Sequence, residues 1–230
     1  MRKSMNIKSV IVLCVLFVTI MSTVSTPAFA ATPGGWSVSK VSYSFLSKSQ
    51  KTIFNKATKK LTGVSYQPVA LLAKQTVAGT NYVFLCQGKT ATAKPTKVWY
   101  ILTASKSLKN KISLRSVKKI KISSIKTSEN PRSAPLDGGL QIVNIKNKSA
   151  ALSKSVRKVF KKGIEKYVGY ELRPIALLGT QVVSGKNYRF LCYGTDHAGS
   201  DLFVVDIYQN TKGKCSLESC QALKLEKYVD

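Results

Sequence analysis

Few side chains in this chain could do covalent or acid–base chemistry. His197 is the single histidine, and it stands next to Asp196, a pairing that general-base catalysis can use. A thiol nucleophile needs a base beside it, and a zinc site needs clustered Cys, His or carboxylate ligands. The chain has five cysteines (Cys14, Cys86, Cys192, Cys215, Cys220), no Cys-x-x-Cys and ten acidic residues against 37 Lys and Arg. Asp196-His197 falls in a polar segment of the second half, and its counterpart around Thr90 to Ala93 carries no such pair. A solvated loop is the reading for it. No catalytic residues, no metal and no cofactor are expected, and the chain does not read as an enzyme.

What must position anything functional is a repeat. Gln75-Thr76-Val77-Ala78-Gly79 returns as Gln181-Val182-Val183-Ser184-Gly185, 106 positions later. Gly63, Pro68, Ala70, Leu71, Leu72, Asn81, Tyr82, Phe84, Leu85, Cys86 and Gly88 recur at the same offset. That period is too long for a solenoid unit and suits a small domain. Apolar runs flank each pentapeptide, Val69 to Leu72 before it and Tyr82 to Cys86 after it, and they read as paired strands. Gly79 and Gly185 then supply the left-handed position that a tight turn often requires.

Pro33-Gly34-Gly35-Trp36-Ser37, a helix, and then Gln75 to Tyr82 resemble the cystatins, the stefin branch above all. The resemblance covers most of each repeat. It implies a wedge, built from an N-terminal Gly trunk and a Gln-x-Val-x-Gly hairpin, that plugs the cleft of papain-like cysteine peptidases. Carried onto this chain, the peptidase-binding residues are Pro33, Gly34, Gln75, Thr76, Val77, Ala78 and Gly79 in the first copy. In the second they are Gly138, Gln181, Val182, Val183, Ser184 and Gly185. The Pro-containing second hairpin usual in that family is missing from both copies. The residue before the trunk glycine is Pro33 in the first copy and Asp137 in the second, which implies unequal copies, the first binding papain-like enzymes better.

Arg2 and Lys3, the apolar stretch Val10 to Met21 and Ala28-Phe29-Ala30 describe a secretory signal peptide over residues 1–30. The mature protein is expected to be secreted, without a membrane span. The whole chain carries +27, and losing Arg2, Lys3 and Lys8 leaves +24. Such a field attracts polyanions, and anionic cell-envelope polymers are the expected partners of that kind. No nucleic-acid motif accompanies the lysines, so no specific nucleic-acid partner is expected. Cys86 and Cys192 share a repeat position and fall on the core side of a strand. Cys215 aligns with Ile112 and Cys220 with Val117, and the spacings fix no disulfide.

In chain order, Ser37 to Tyr43 reads as a short strand. Leu46, Ile53, Phe54, Ala57 and Leu61 make one helix face, ended by Gly63. Runs at Val98 to Leu102 and Ile112 to Ile122 add two more strands, with a turn over Ser105 to Lys111. The second copy repeats this, its helix carrying Leu152, Val156, Val159, Phe160 and Ile164. The predicted fold class is α+β: two tandem cystatin-like domains, each an antiparallel meander sheet wrapped around one helix. The first domain is drawn at residues 31–122, the linker at 123–136 (with Pro131 and Pro135) and the second domain at 137–230.

A secreted inhibitor of papain-like cysteine peptidases is the expected function. A non-inhibitory surface-binding or adhesion module stays open, supported by Lys106, Lys109 and Lys111 at the second turn. So does inhibition of another peptidase class.

Overall fold

The structure, a computed structural model, describes residues 35–38, 46–121, 140–143 and 152–229. These fall in one compact unit, Pro33–Asp230. The expected signal peptide and the linker over residues 123–136 lie outside the described residues.

The first copy runs β1 (Trp36–Val38), α1 (Lys48–Thr58), β2 (Val64–Val77), β3 (Gly79–Thr90), β4 (Lys97–Ser107) and β5 (Ile112–Lys119). The second runs β6 (Gln141–Ile142), α2 (Lys154–Gly163), β7 (Glu171–Val183), β8 (Gly185–Thr195), β9 (Ser200–Gln209) and β10 (Cys215–Ala222). A single 3-10 turn, Leu225–Lys227, follows. Each copy forms a five-stranded antiparallel sheet with neighbours in chain order.

Both helices start where the sequence supplies a cap. Ser47 Oγ accepts from Gln50 N at 3.2 Å, and Ser47 N donates to Gln50 Oε1 at 2.8 Å, a reciprocal capping box. Ser153 Oγ accepts from Val156 N at 3.3 Å at the start of α2. Ile53, Phe54 and Ala57 of α1 are buried, and Phe54 meets Phe84 edge-on with ring centres 5.5 Å apart. In the second copy Phe160 meets Phe190 in the same way at 5.0 Å.

The fold-class expectation needs correcting. The described residues are predominantly antiparallel sheet, two five-stranded sheets with two α-helices among them, and tandem cystatin-like domains are not what they form. A sheet wrapped around one helix buries one face. Here each sheet buries both. Phe84, Cys86, Tyr100 and Leu102 join α1 in one cluster, while their strand neighbours Val83, Leu85, Trp99 and Ile101 join the core of the second copy. Trp99 is fully buried, and its indole Nε1 donates to the backbone oxygen of Leu178 in β7 at 2.7 Å. Gln87 Nε2 donates to Val143 O at 2.8 Å. The two sheets thus share one core, with α1 and α2 on the outer faces.

Paired bulges adapt the strands to this. Register shifts fall between Pro68 and Ala70 and between Leu71 and Ala73 in β2, and at the matching Pro174/Ala176 and Leu177/Gly179 in β7. The residues left over, Val69 and Leu72, Ile175 and Leu178, are all buried. Bulges bend and twist a strand locally, which lets an unbroken apolar run serve two faces.

Candidate functional site

The residues named for peptidase binding lie at one end of each sheet, as far as the structure describes them. Pro33, Gly34 and Gly138 lie outside the described residues, as does Asp137. Gln75, Thr76 and Val77 close β2, Ala78 is the apex, and Gly79 opens β3 opposite Val77. In the second copy Gln181, Val182 and Val183 close β7, Ser184 is the apex, and Gly185 opens β8.

These residues divide into two kinds. Gly79 has φ +123°, and a Cβ there would run into the backbone oxygen of Lys106 in β4. Gly185 has the same φ and meets Gln209 O in the same way. So each glycine is demanded by the close pass of the neighbouring strand. Gln75 lies opposite Asn81, whose Nδ2 donates to Gln75 Oε1 at 2.7 Å, and Gln181 and Asn187 form the matching buried pair of positions. Glutamine and glycine of the repeated pentapeptide therefore have jobs inside the sheet. The exposed surface is left to Val77 (47% exposed), Thr76 and Ala78, and to Val182 (64%) and Val183 (38%).

Two more segments reach the same end. Gly79 pairs with Ser107, so the β4–β5 turn stands beside the β2–β3 turn. That turn is closed by Ser107 N donating to Lys111 O at 2.9 Å, has Asn110 at φ +61°, and presents Leu108 at 80% exposure. Trp36 pairs with Gln75, so the chain enters β1 alongside the tip. At the second end the turn over Asn210 to Lys214 has the same backbone bonds, with Gly213 at φ +77°. The residue matching Leu108 there is Thr211, so the second end has no apolar side chain at that place.

Asp196 caps its own loop, its Oδ1 accepting from Ala198 N at 2.8 Å and Gly199 N at 3.0 Å, next to an exposed His197. Cys86, Cys192, Cys215 and Cys220 are free thiols. Burial pushes all four thiols up from their ordinary value, most of all Cys86 and Cys192, which disfavours the thiolate. Among the described residues no three metal-binding side chains converge. Among them, too, no helix is long and apolar enough to cross a membrane.

Sequence reasoning missed the polar floor beside the first tip. Ser105, Ser113 and Arg115 line a groove there with Lys106 and Lys111. The missed signal is a bulge: β4 and β5 slip register between Thr103 and Ala104, and Arg115 is the residue left over.

No family profile and no curated protein matches the chain. Among solved structures, an "Ntf2 like protein involved in plasmid conjugation" aligns over 79% of this chain and 90% of its own length, at 9% identity and a TM-score of 0.22. A likeness of that size carries no argument about fold or function.

Proposed function

We propose that this protein is an exported inhibitor of papain-like cysteine peptidases, acting through the end of its first sheet. The observation that supports the reading is the adjacency of Val77, Ala78 and Leu108, small and moderate apolar side chains exposed on two neighbouring turns. A tight-binding plug needs no reactive group. It needs a protrusion that enters a cleft without presenting a scissile bond for attack. Strand pairing on both sides of β3 holds the tip before binding, which lowers the ordering cost. The chain entering β1 would supply a third contact beside the tip. An interface of ordinary size, roughly 1,600 Å² in total, needs all three segments.

The test is residual activity of a papain-like peptidase titrated with the wild-type chain and with Val77→Asp/Leu108→Asp. The variant should keep its fold, because both positions are exposed, and should bind at least about 2 kcal/mol more weakly, as expected for interface anchors. An inhibition constant unchanged by the double substitution would remove the first end from the mechanism. Inhibition of a metallocarboxypeptidase instead would reassign the target class. A rival reading, a surface-attached binding module without inhibitory action, is favoured by the lysines that flank the tip, Lys106, Lys109 and Lys111. It predicts no inhibition of either class.

A further inference from the structure

The face of the first sheet changes character along its length. Where the second sheet covers it, it is apolar: Val83, Leu85, Trp99 and Ile101. Toward the tip the same face turns polar, and a groove of about 330 Å³ opens. Its lining includes Asn81, Ser105, Lys106, Lys111, Ser113 and Arg115, and no lining side chain is acidic. The hydroxyls of Ser105 and Ser113 stand 2.7 Å apart across paired strands. Arg115 is the extra residue at the β4–β5 bulge, a device that re-aims a side chain.

The second copy is an internal control. Its β9–β10 pairing carries the same bulge, between Leu217 and Ser219, and the leftover residue is Glu218. Matching the two turns residue for residue puts Tyr208 where Ser105 stands and Gln209 where Lys106 stands. The Tyr208 hydroxyl donates to Ser184 O, and its ring lies against Gly185, so the space is filled. Glu218 reverses the charge and accepts from Ser216 Oγ at 2.8 Å. One backbone has thus been given an open cationic groove in one copy and a closed one with a carboxylate in the other. Mere solubility would not select between them.

We infer that the groove of the first copy binds a phosphoryl group. A phosphoryl group offers several acceptor oxygens in different directions, and this lining answers with hydroxyl, amide, ammonium and guanidinium donors from three strands and a turn. Ser105 and Ser113 hydrogen-bond each other, leaving one hydroxyl hydrogen of the pair for a ligand, and a tetrahedral phosphoryl group presents acceptors in more directions than a planar carboxylate. Val77 and Ala78 line the same groove, so the site adjoins the peptidase-binding tip, but binding of a phosphate polymer is read out independently of peptidase inhibition.

The experiment measures binding of a synthetic poly(glycerol phosphate) to the full chain by calorimetry, with poly-L-glutamate as the carboxylate probe. Ser105→Tyr/Arg115→Glu transplants the second copy's residues. Lys59→Glu, on the exposed surface just past α1, makes the same change in charge elsewhere. The groove variant should lose on the order of tenfold in affinity for the phosphate polymer and the control less than about threefold. Inorganic phosphate should compete, and chloride at matched ionic strength should not. Arg115→Gln alone, which leaves the packing untouched, should lose about threefold to fivefold. Equal losses in groove and control variants would mean that diffuse charge alone binds the polymer, and would overturn the site. Equal affinity for poly-L-glutamate, or no competition by phosphate, would overturn the ligand class.

Discussion

Replacing Trp99 with alanine probes the shared core directly. In a free-standing sheet this residue would lie on the solvent face, and its loss would be nearly neutral. In the structure it is fully buried between the sheets and donates to Leu178 O across the two copies. Removing a buried Trp side chain costs about 3–5 kcal/mol, transfer and cavity together. The lost hydrogen bond adds about 0.5 kcal/mol, the low end of the usual range, because Val143 N also donates to Leu178 O and leaves it partnered. The expected loss is therefore about 3.5–5.5 kcal/mol, a large share of what a domain has. Urea unfolding followed by far-ultraviolet circular dichroism, and by the fluorescence of the remaining Trp36, supplies the measurement. Both probes should report one transition that moves together in wild type and variant. Two separate transitions, or a loss below about 1 kcal/mol, would refute the single core.

Three further outcomes are expected from the same assay. Arg189 grips Asp206 with two bonds of 2.7 Å, the pair being 12% and 6% exposed, and Ser219 Oγ donates to Asp206 Oδ2. Arg189→Val should cost about 3–5 kcal/mol by stranding that carboxylate, while Arg189→Val/Asp206→Thr, the pair found in the first copy as Val83 and Thr103, should recover most of the loss. Failure of the double variant to recover would mean that the ion pair is not the source of the cost. Thr103→Val should gain about 1 kcal/mol, because Thr103 Oγ1 is buried and meets no hydrogen-bond partner among the described residues; a loss would show that a partner exists. Gly79→Ala should cost about 1–3 kcal/mol through its positive φ alone, with the clash against Lys106 O in addition. A neutral Gly79→Ala would place the value of that glycine outside folding.

Much of the local structure could be read from residue types. The helix stripes at Ile53, Phe54 and Ala57 and at Val159 and Phe160 pack as their spacing predicts, and the Gly63 and Gly79 positions have the left-handed φ that only glycine takes easily. The partnership between copies was harder to see, although its trace is present. Val69 to Leu72, Tyr82 to Cys86 and Val98 to Leu102 are unbroken apolar runs, whereas a sheet with one wet face alternates. Each run fits a hairpin strand equally well, and only the pairing of Trp99 with Leu178 decides between the two. The groove was invisible for another reason. Whether Arg115 belongs with Ser113 depends on a register slip, and a slip of one residue has no mark in composition. The pentapeptide itself misleads, since of its three residues shared by both copies Gln75 and Gly79 are held for the sheet and only Val77 faces outward.

The apolar face made by Val83, Leu85, Trp99 and Ile101 has a consequence for how the two copies are paired. A single copy would carry that face bare, and the nearest surface able to cover it is the same face on a sister molecule. Carrying both copies on one chain fixes a one-to-one stoichiometry that concentration would set for separate copies. Joined in this way, the halves are released from the obligation to be identical. One can keep Arg189 and Asp206 in its interior while the other keeps Val83 and Thr103, and one turn can close over Tyr208 while its twin stays open. Two like copies thereby make a molecule with a front and a back.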